Sequence, residues 1–432
     1  MEVIDVRVYS SISRARGKRR VDFFLLGIIV ILLGVSIAMQ YSITQSGLPK
    51  FSGLWKKQLI RIGIGLAAMT AVFFASHNWI YNLAYPVYVI GLMSLSGVII
   101  FGRFIRGAQR WFEFGPLSIQ PSELAKIILV IAMARYLYDR RKRTQESRVI
   151  LGALMMSGAY ILLILMQPNF GTAFVFIPMT LAILLVSGAN LSYLVGLVFP
   201  IVAAATALPF LLTYNWTPEF SQILIYASVY FIAVGFICLA ANNKRAISLV
   251  FWIALCILAG FSIAWIGNSI LPDYQKERLA SFLSPEMDAL DTGYQVIQSK
   301  IAIGSGGLFG QGYLHGKQKN LAFIPEQHND FIFAVIGEEW GFLGVSVLLL
   351  LYLAFLLRGI HIAYEAENLF SCLLAVGVVA LIGTQTFINI GMTLGIVPVT
   401  GLPLPLISYG GSSMLSSLMA MGLLMNVRRS PI

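Results

Sequence analysis

Twelve apolar runs, each close to the length of a membrane-spanning helix, constrain this 432-residue chain more than any other feature. About 20 consecutive apolar residues cross the hydrocarbon core of a bilayer as a helix. Because 58% of the residues are hydrophobic and only 11% are charged, the chain has no room for a soluble domain of ordinary size. The runs lie at about 21–39, 58–76, 80–101, 123–138, 149–166, 172–188, 191–213, 221–241, 246–269, 330–357, 368–396 and 403–427. We therefore predict an all-α polytopic membrane protein with about twelve transmembrane helices.

The placement of positive charge predicts which side each loop faces. Five Lys/Arg residues lie between Arg14 and Arg20, directly before the first apolar run, and cytoplasmic loops are enriched in such residues. We therefore predict that residues 1–20 are a basic cytoplasmic tail and that, with an even number of spans, both termini are cytoplasmic. The net charge of +11 is explained by loops that face anionic lipid, so no nucleic-acid partner is expected.

One long polar interval, Leu271–Asp330, separates a predicted N-terminal bundle at 21–269 (spans 1–9) from a C-terminal bundle at 330–432 (spans 10–12). It contains seven of the 19 acidic residues. Loops of this length are usually functional or disordered, and its many aromatic and aliphatic residues argue against disorder. Nine spans precede it, so we predict a large structured extracytoplasmic loop at 270–329 that carries the chemistry.

Within this loop, Asp288 lies between Pro285 and Gly293. A carboxylate held in a rigid turn at a membrane surface can be partly desolvated, which suits a general base. A solvated loop acid is the simpler alternative. Glu286 and Asp291 are equally acidic neighbours, and spacing alone does not choose among the three.

A second group of charged residues flanks an earlier outside loop. Glu123 and Lys126 lie one helical turn apart at the start of a span, so their side chains can pair, and intramembrane ionisable groups indicate function. The alternative is a purely structural ion pair. Arg110, beside Trp111, adds a fixed cation, and such cations suit a pyrophosphate.

Two further polar pairs interrupt apolar runs. Glu338 and Glu339 lie about two turns into a span, where charge is costly, so they are either paired inside the bundle or part of a cavity. Ser412 and Ser413 enter the last span in the motif SYGGSSM. A serine there can cap the helix, or the free amides can bind an anion or a polar headgroup. The sequence leaves these alternatives open.

Five motifs in this order resemble the SEDS family (shape, elongation, division and sporulation), and within it the RodA branch. They cover most of 103–180 and 271–427, and the segment LHGKQKNLAFIPEQHNDFIFA favours the elongation branch. The motifs are RWFEFGPLSIQPSELAK, QPNFGTA, RLASFLSPEMDALDTGYQVIQSKIAIGSGGLFGQGYLHG, FIPEQHNDFIFAVIGEEWGFLG and GIVPVTGLPLPLISYGGSSM.

The resemblance implies a peptidoglycan glycosyltransferase of the bacterial inner membrane. Such an enzyme polymerises lipid II into β-1,4-linked glycan strands during cell elongation and rod-shape maintenance, and it releases undecaprenyl pyrophosphate. The implied partners are lipid II, undecaprenyl-linked glycan, a class B penicillin-binding protein and other elongation-complex membrane proteins, with a divalent cation as the one cofactor considered. A lipid II flippase and a non-catalytic scaffold of the cell-wall machinery are the alternatives.

The resemblance also assigns roles to residues. It implies that Asp288 is the essential catalytic aspartate of the loop. The substrate-binding residues that it implies are Arg110, Trp111, Glu123, Lys126, Glu326, His328, Asp330, Ser412 and Ser413. The chain departs from the family in two respects: Asn169 stands where the family usually has Asp, and the family usually has ten spans, so residues 214–268 are expected to form an extra pair.

The predicted topology can be tested with cysteine probes in a background from which the three native cysteines have been replaced. Probes at Ser281 and Asn320 should react with a membrane-impermeant maleimide from outside the cell. Probes at Ser147 and Asn243 should react only after permeabilisation, because both lie beside basic clusters. Labelling of Asn320 only from inside would place the long loop on the wrong side of the membrane.

Overall fold

The computed structural model describes residues 21–105, 108–114, 117–190, 194, 282 and 292–429. The chain divides into two compact units. One comprises Met1–Gly188, Gln298–Leu394 and Thr400–Ile432, and the other comprises Ala189–Ile297 and Gly395–Val399. The first unit contains helices from both of the predicted bundles, and it contains all of the contacts discussed below.

Most of the described chain is helical, as the apolar runs predict. The helices are α1 Phe23–Thr44, α2 Leu54–Phe74, α3 His77–Phe101, α4 Pro121–Asp139, α5 Ser147–Leu165, α6 Phe170–Val186, α7 Thr292–Gly306, α8 Lys317–Asn320, α9 Ile332–Tyr364, α10 Leu369–Thr393 and α11 Gly411–Arg429, with a 3₁₀ turn at Pro49–Phe51. Each of nine predicted runs overlaps one of these helices. Six helical segments of the described chain are long and apolar enough to cross a membrane. The other three runs, from 191 to 269, lie outside the described residues apart from Leu194, so the total of twelve stays a prediction.

Local sequence explains where several helices begin. Asp22, Ser76 and Asn368 immediately precede α1, α3 and α10, and each side chain accepts a hydrogen bond from the backbone N–H three residues on. These residue types are favoured N-caps because they satisfy an N–H group that the helix leaves unpaired. Pro121 begins α4, at a position where its missing N–H costs nothing.

A small antiparallel sheet corrects the all-α prediction. Strands β1 (Arg103–Ile105), β2 (Ala108–Phe114) and β3 (Leu117–Ile119) pair in the order β1-β2-β3. The sequence of β2, AQRWFEF, is rich in the aromatic residues that favour strands. Gly107 and Pro116 interrupt the segment between the strands, and both residue types disfavour a continuous helix. The sheet immediately precedes α4 and so positions the start of that helix.

Two glycines allow α2 and α11 to pack closely. A Cβ atom on Gly422 would lie 2.5 Å from the carbonyl oxygen of Met69, and one on Gly65 would lie 2.5 Å from Cδ1 of Leu418. Small residues at helix interfaces let backbones approach in membranes, where dispersion contacts drive association. A larger side chain at Gly422 would meet the backbone of α2 and push the two helices apart, whereas one at Gly65 would displace the end of the Leu418 side chain.

The last apolar run is shorter as a helix than predicted. The run begins at 403, but α11 begins at Gly411. Residues 401–411, here called the 401–411 turn, contain Pro403 and Pro405, which have no N–H to donate to a helix. Leu406 has a φ of +65°, which also excludes helix. The turn therefore brings irregular backbone into the bundle.

Helix α9 is broken at Gly341, where φ is +63° and ψ is −164°. The segment 307–312 lies against the break and replaces the missing helical hydrogen bonds. Four backbone bonds join the two segments: the N–H groups of Gln311 and Gly312 donate to the carbonyls of Glu338 and Glu339 at 2.9 and 3.1 Å, and those of Phe342 and Leu343 donate to Gly307 and Leu308 at 2.8 and 3.1 Å. Because backbone groups at membrane depth must be satisfied, the break and this segment depend on each other.

Replacing Gly341 with Ala should destabilise the protein by about 1–3 kcal/mol, because the backbone has a left-handed φ. The added Cβ would also lie 2.8 Å from the carbonyl oxygen of Leu308. Gly304→Ala is the matched control, since a Cβ there meets nothing within 4 Å and alanine favours helix. The measurement is the midpoint of thermal unfolding in detergent. Equal midpoints for the two variants would show that the break is not fixed by Gly341.

Candidate functional site

The 401–411 turn carries carbonyl groups that are not bonded within a helix, and buried side chains of four helices donate to them, including the hydroxyl of Tyr352 in α9, which donates to the carbonyl of Pro405 at 2.5 Å. Ser36 Oγ of α1 donates to the carbonyl of Ile407 at 2.7 Å, and Gln58 Nε2 of α2 donates to that of Ser408 at 3.2 Å. Asn389 of α10 holds the start of the turn, with Nδ2 2.6 Å from the carbonyl of Leu402. Irregular backbone inside a membrane bundle needs such donors, so four helices fix the position of the turn.

The segment that precedes α9 docks on this turn. Ser408 Oγ donates to the carbonyl of Asn329 at 2.6 Å, and the N–H of Tyr409 donates to that of His328 at 3.0 Å. Gln40 Nε2 of α1 donates to the same His328 carbonyl at 2.9 Å. Two motifs that lie about 80 residues apart in the chain, FIPEQHND and SYGGSS, are therefore in direct contact.

Three predicted substrate-binding residues lie in that segment. Glu326 has a φ of +50°, and its Oε2 is 3.9 Å from Nε2 of His328. The His328 ring packs against Tyr409 with 5.3 Å between ring centroids. The carbonyl of Asp330 accepts a hydrogen bond from Asn389 Nδ2 at 2.9 Å. The structure thus places Glu326, His328 and Asp330 in one turn beside the start of α11.

Ser412 and Ser413 lie in the first turn of α11. The Ser412 side chain is buried and contacts the small sheet: it accepts from the N–H of Gln120 at 2.9 Å and donates to the carbonyl of Ser118 at 3.3 Å. The carbonyl oxygen of Ser413 lies 3.1 Å from Ser416 Oγ and is an alternative acceptor for the single proton of that hydroxyl. The hydroxyl of Ser412 therefore joins α11 to the sheet and does not cap its own helix.

The predicted pairing of Glu123 and Lys126 is confirmed. Lys126 Nζ lies 2.8 Å from Glu123 Oε1, and Ser416 Oγ donates to Glu123 Oε2 at 3.1 Å. The residues are 3% and 0% exposed, respectively. The two charges cancel inside the protein, so a phosphate would reach the Lys126 ammonium only if the pair opened.

Arg110 and Trp111 lie on β2, and both are half-buried. Arg110 Nε donates to the carbonyl of Gln167 at 2.9 Å, and a second N–H of the same guanidinium donates to the carbonyl of Pro168. These bonds hold the turn that leads into α6. Asn169, which stands where the resemblance expects Asp, is buried directly after that turn, with Nδ2 3.5 Å from Ser122 Oγ.

The structure reveals one ionic cluster that sequence reasoning did not assemble. Lys319 Nζ lies 2.5 Å from Glu339 Oε1 and 2.7 Å from Ser42 Oγ, and these three residues are fully buried. The Glu338 carboxylate accepts the N–H groups of Gln318 and Lys319 at 2.7 and 3.1 Å. The first alternative for these two acids is therefore the one observed: Glu339 is paired with Lys319, and Glu338 is hydrogen-bonded to backbone N–H groups, both inside the bundle. The two acids in an apolar run indicate in the sequence that a buried cluster exists. No neighbouring residue in the sequence identifies Lys319 as their partner.

Asp288, the predicted base, lies outside the described residues, as do Glu286 and Asp291. Among the residues that the structure describes, no group of three or more His, Cys, Asp or Glu side chains could hold a metal ion.

The chain is similar to known proteins over nearly its whole length. A family model described as a cell cycle protein, FtsW/RodA/SpoVE, matches residues 20–224 and 217–431. Peptidoglycan glycosyltransferase RodA of Treponema pallidum is 34% identical over 439 residues, which cover 96% of this chain and 99% of the relative. Peptidoglycan glycosyltransferase MrdB of Escherichia coli K12 is 33% identical, covering 87% of this chain and 85% of the relative. Stage V sporulation protein E of Bacillus subtilis is 31% identical, covering 94% and 97%.

Solved structures agree with these matches. One chain of a peptidoglycan synthase complex that coordinates polymerization and crosslinking superposes with a TM-score of 0.68 at 29% identity, covering 95% of this chain and 98% of that one. The rod shape determining protein RodA of Thermus thermophilus superposes with a TM-score of 0.59 at 27% identity, covering 95% and 97%.

The buried Glu123–Lys126 pair can be tested by a double-mutant cycle. Glu123→Gln or Lys126→Met alone should destabilise the protein by about 3–5 kcal/mol, because each leaves one buried charge without its partner. The double variant removes both charges and should lose much less than the sum. Unfolding midpoints of the four purified proteins give the coupling, with Ser416→Ala as the control for loss of a single hydrogen bond. Additive losses would mean that the two charges do not depend on each other.

Proposed function

The chain belongs to the FtsW/RodA/SpoVE family of cell cycle proteins, and from that premise we propose that it is a peptidoglycan glycosyltransferase. The reaction proposed is polymerisation of lipid II into β-1,4-linked glycan strands during cell elongation and rod-shape maintenance, with release of undecaprenyl pyrophosphate. The observation that carries the proposal is the match, over 96% of the chain, to a relative that bears this activity in its name.

The contacts between motifs support the same proposal. All five motifs that carry the family resemblance are joined by hydrogen bonds in the first unit, the third to the fourth through residues 307–312 at the break in α9. Arg110 joins the RWFEF motif to the QPN turn, Ser412 joins SYGGSS to the segment before α4, and Tyr409 joins SYGGSS to FIPEQHND. A catalytic constellation needs such fixed support, since reacting groups must be held to within a fraction of an ångström.

In the proposed reaction, Asp288 removes the proton from the 4-hydroxyl of the N-acetylglucosamine of the acceptor lipid II. The oxygen then attacks C1 of the N-acetylmuramic acid at the reducing end of the growing chain. The bond between C1 and the pyrophosphate oxygen breaks as the new bond forms on the opposite face. Inversion of an α-linked donor gives the β-1,4 bond, and undecaprenyl pyrophosphate leaves with the electron pair.

Cations that face the departing pyrophosphate would lower the barrier, because negative charge develops there in the transition state. We propose Arg110 for this role: it is half-buried, and its guanidinium is already oriented by the carbonyls of Gln167 and Pro168. Lys126 is the second proposed cation, and it contributes once substrate competes with Glu123 for its ammonium. Trp111 and residues Glu326, His328, Asp330, Ser412 and Ser413 are proposed to bind the remainder of the substrate.

The proposed setting is the bacterial inner membrane, with both termini in the cytoplasm and the Asp288 loop outside. The similarity to a chain of a peptidoglycan synthase complex supports a class B penicillin-binding protein as partner. Other elongation-complex membrane proteins are proposed as further partners.

Asp288→Asn should abolish polymerisation and leave thermal unfolding unchanged, because the substitution removes the base while keeping the size of the side chain. Glu286→Ala and Asp291→Ala are the matched controls and should retain most of the activity. The measurement is the polymer formed from lipid II by purified protein in detergent. An active Asp288→Asn variant, or an inactive neighbour, would show that the base has been misassigned.

The detergent assay, together with a transport assay on protein reconstituted in vesicles, tests the function itself. Unsubstituted protein should form polymer without a second protein. Lipid II that crosses a vesicle bilayer without being polymerised would instead favour a flippase, and absence of both activities would favour a scaffold.

A further inference from the structure

One carboxylate at the start of α1 accepts hydrogen bonds from two arginines that lie far away in the sequence. Asp22 Oδ2 lies 2.8 Å from Nε of Arg358 in α9, and it also accepts from a guanidinium N–H of Arg428 in α11. Its Oδ1 accepts the N–H of Leu25 at 3.0 Å and so caps α1. The Asp22 side chain is 2% exposed, and both of its carboxylate oxygens accept hydrogen bonds from the protein.

The two arginines that contact Asp22 are partly exposed to solvent and have more N–H donors than Asp22 can accept. The side chains of Arg358 and Arg428 are 22% and 28% exposed, and each guanidinium has five N–H donors. Arg429 follows Arg428 in the last turn of α11. It donates to the carbonyl of Phe73 at 3.2 Å and stacks on Phe74 at 4.6 Å. Within the described part of the chain, Asp22 is the only acidic group paired with any of the three. One carboxylate and three guanidiniums leave an excess charge of +2.

Helix electrostatics explain only part of this arrangement. Arg428 and Arg429 lie in the last turn of α11, where cations are favoured by the helix dipole. Arg358 lies six residues before the end of α9 at Tyr364, which is beyond the last turn. A helix-end effect therefore does not account for bringing Arg358 to the carboxylate that Arg428 also contacts.

We propose that Arg358, Arg428 and Arg429, here called the arginine cluster, bind the phosphate of an anionic phospholipid headgroup. Guanidinium groups bind phosphate oxygens in pairs, with good geometry. Phe23 and Phe24 directly follow Asp22 in the chain, and Phe74 contacts Arg429. These three rings are 76%, 59% and 62% exposed and suit the acyl chains.

The membrane face on which the cluster is predicted fits this ligand. The basic N-terminal segment predicts that this end of α1 is cytoplasmic, and the cytoplasmic leaflet is rich in anionic lipid. The inference is independent of the glycosyltransferase reaction, because none of its residues belongs to the candidate functional site.

Binding can be measured by native mass spectrometry of the purified full chain, titrated with phosphatidylglycerol or with phosphatidylcholine. Phosphatidylglycerol should bind more tightly. Arg428→Gln and Arg429→Gln should each weaken its binding about tenfold, because each variant loses a charge-assisted hydrogen bond to the phosphate, worth about 1.5 kcal/mol, and a tenfold change corresponds to about 1.4 kcal/mol. Arg429 does not contact Asp22, so its variant keeps the fold even where loss of Arg428 does not. Arg148→Gln, at the exposed start of α5, is the matched control and should change nothing.

Asp22→Asn should change the affinity for phosphatidylglycerol in the opposite direction to the arginine variants. Asparagine retains the cap of α1 but no longer neutralises the arginines, so phosphatidylglycerol should bind more tightly than to the unsubstituted protein. Inorganic phosphate at millimolar concentration should not compete with the lipid, because the acyl chains add contacts that free phosphate lacks. Equal binding of the two lipids, no effect of the arginine variants, or weaker binding by Asp22→Asn would each overturn the proposal.

Discussion

Backbone groups that leave regular helix inside an apolar bundle must find partners, and the rest of the structure depends on how this chain supplies them. The break at Gly341 is satisfied by backbone from residues 307–312. The 401–411 turn is satisfied instead by side chains, chiefly Ser36, Gln58 and Asn389. Both solutions fix irregular segments against several helices at once. The motifs of the candidate functional site lie on or beside these segments, where rigid support is greatest.

Buried charge imposes a second constraint. The pairs Glu123–Lys126 and Glu339–Lys319 are each almost completely removed from solvent. Separating such a pair leaves a charge that the interior cannot solvate, which costs far more than the pair contributes when intact. Lys319 therefore ties the segment before α9 to the helix that follows it, while Glu123 ties α4 to α11 through Ser416. These ties limit how the elements around the proposed site can move.

The balance of positive and negative charge differs between the two ends of α1. Its 22 residues span about 33 Å at 1.5 Å per residue. At one end, Ser42 joins the neutral pair of Lys319 and Glu339. At the other end, Asp22 meets more positive charge than it can neutralise. A balanced end suits packing within the protein, and an end with excess positive charge suits contact with an anionic surface, which is the basis for the lipid site proposed above.

The sequence by itself determined whatever depends on local pattern. Hydrophobic run length located nine of the helices, i,i+3 spacing predicted the pair of Glu123 and Lys126, and the ordered motifs identified the family. The strands at 103–119, the late start of α11 at Gly411 and the partner of Glu339 were decided only by tertiary structure. Lys319 is 20 residues from Glu339 and 277 from Ser42, so no periodicity connects them. Such contacts form because burial leaves each group no partner except the one that the packed helices bring near.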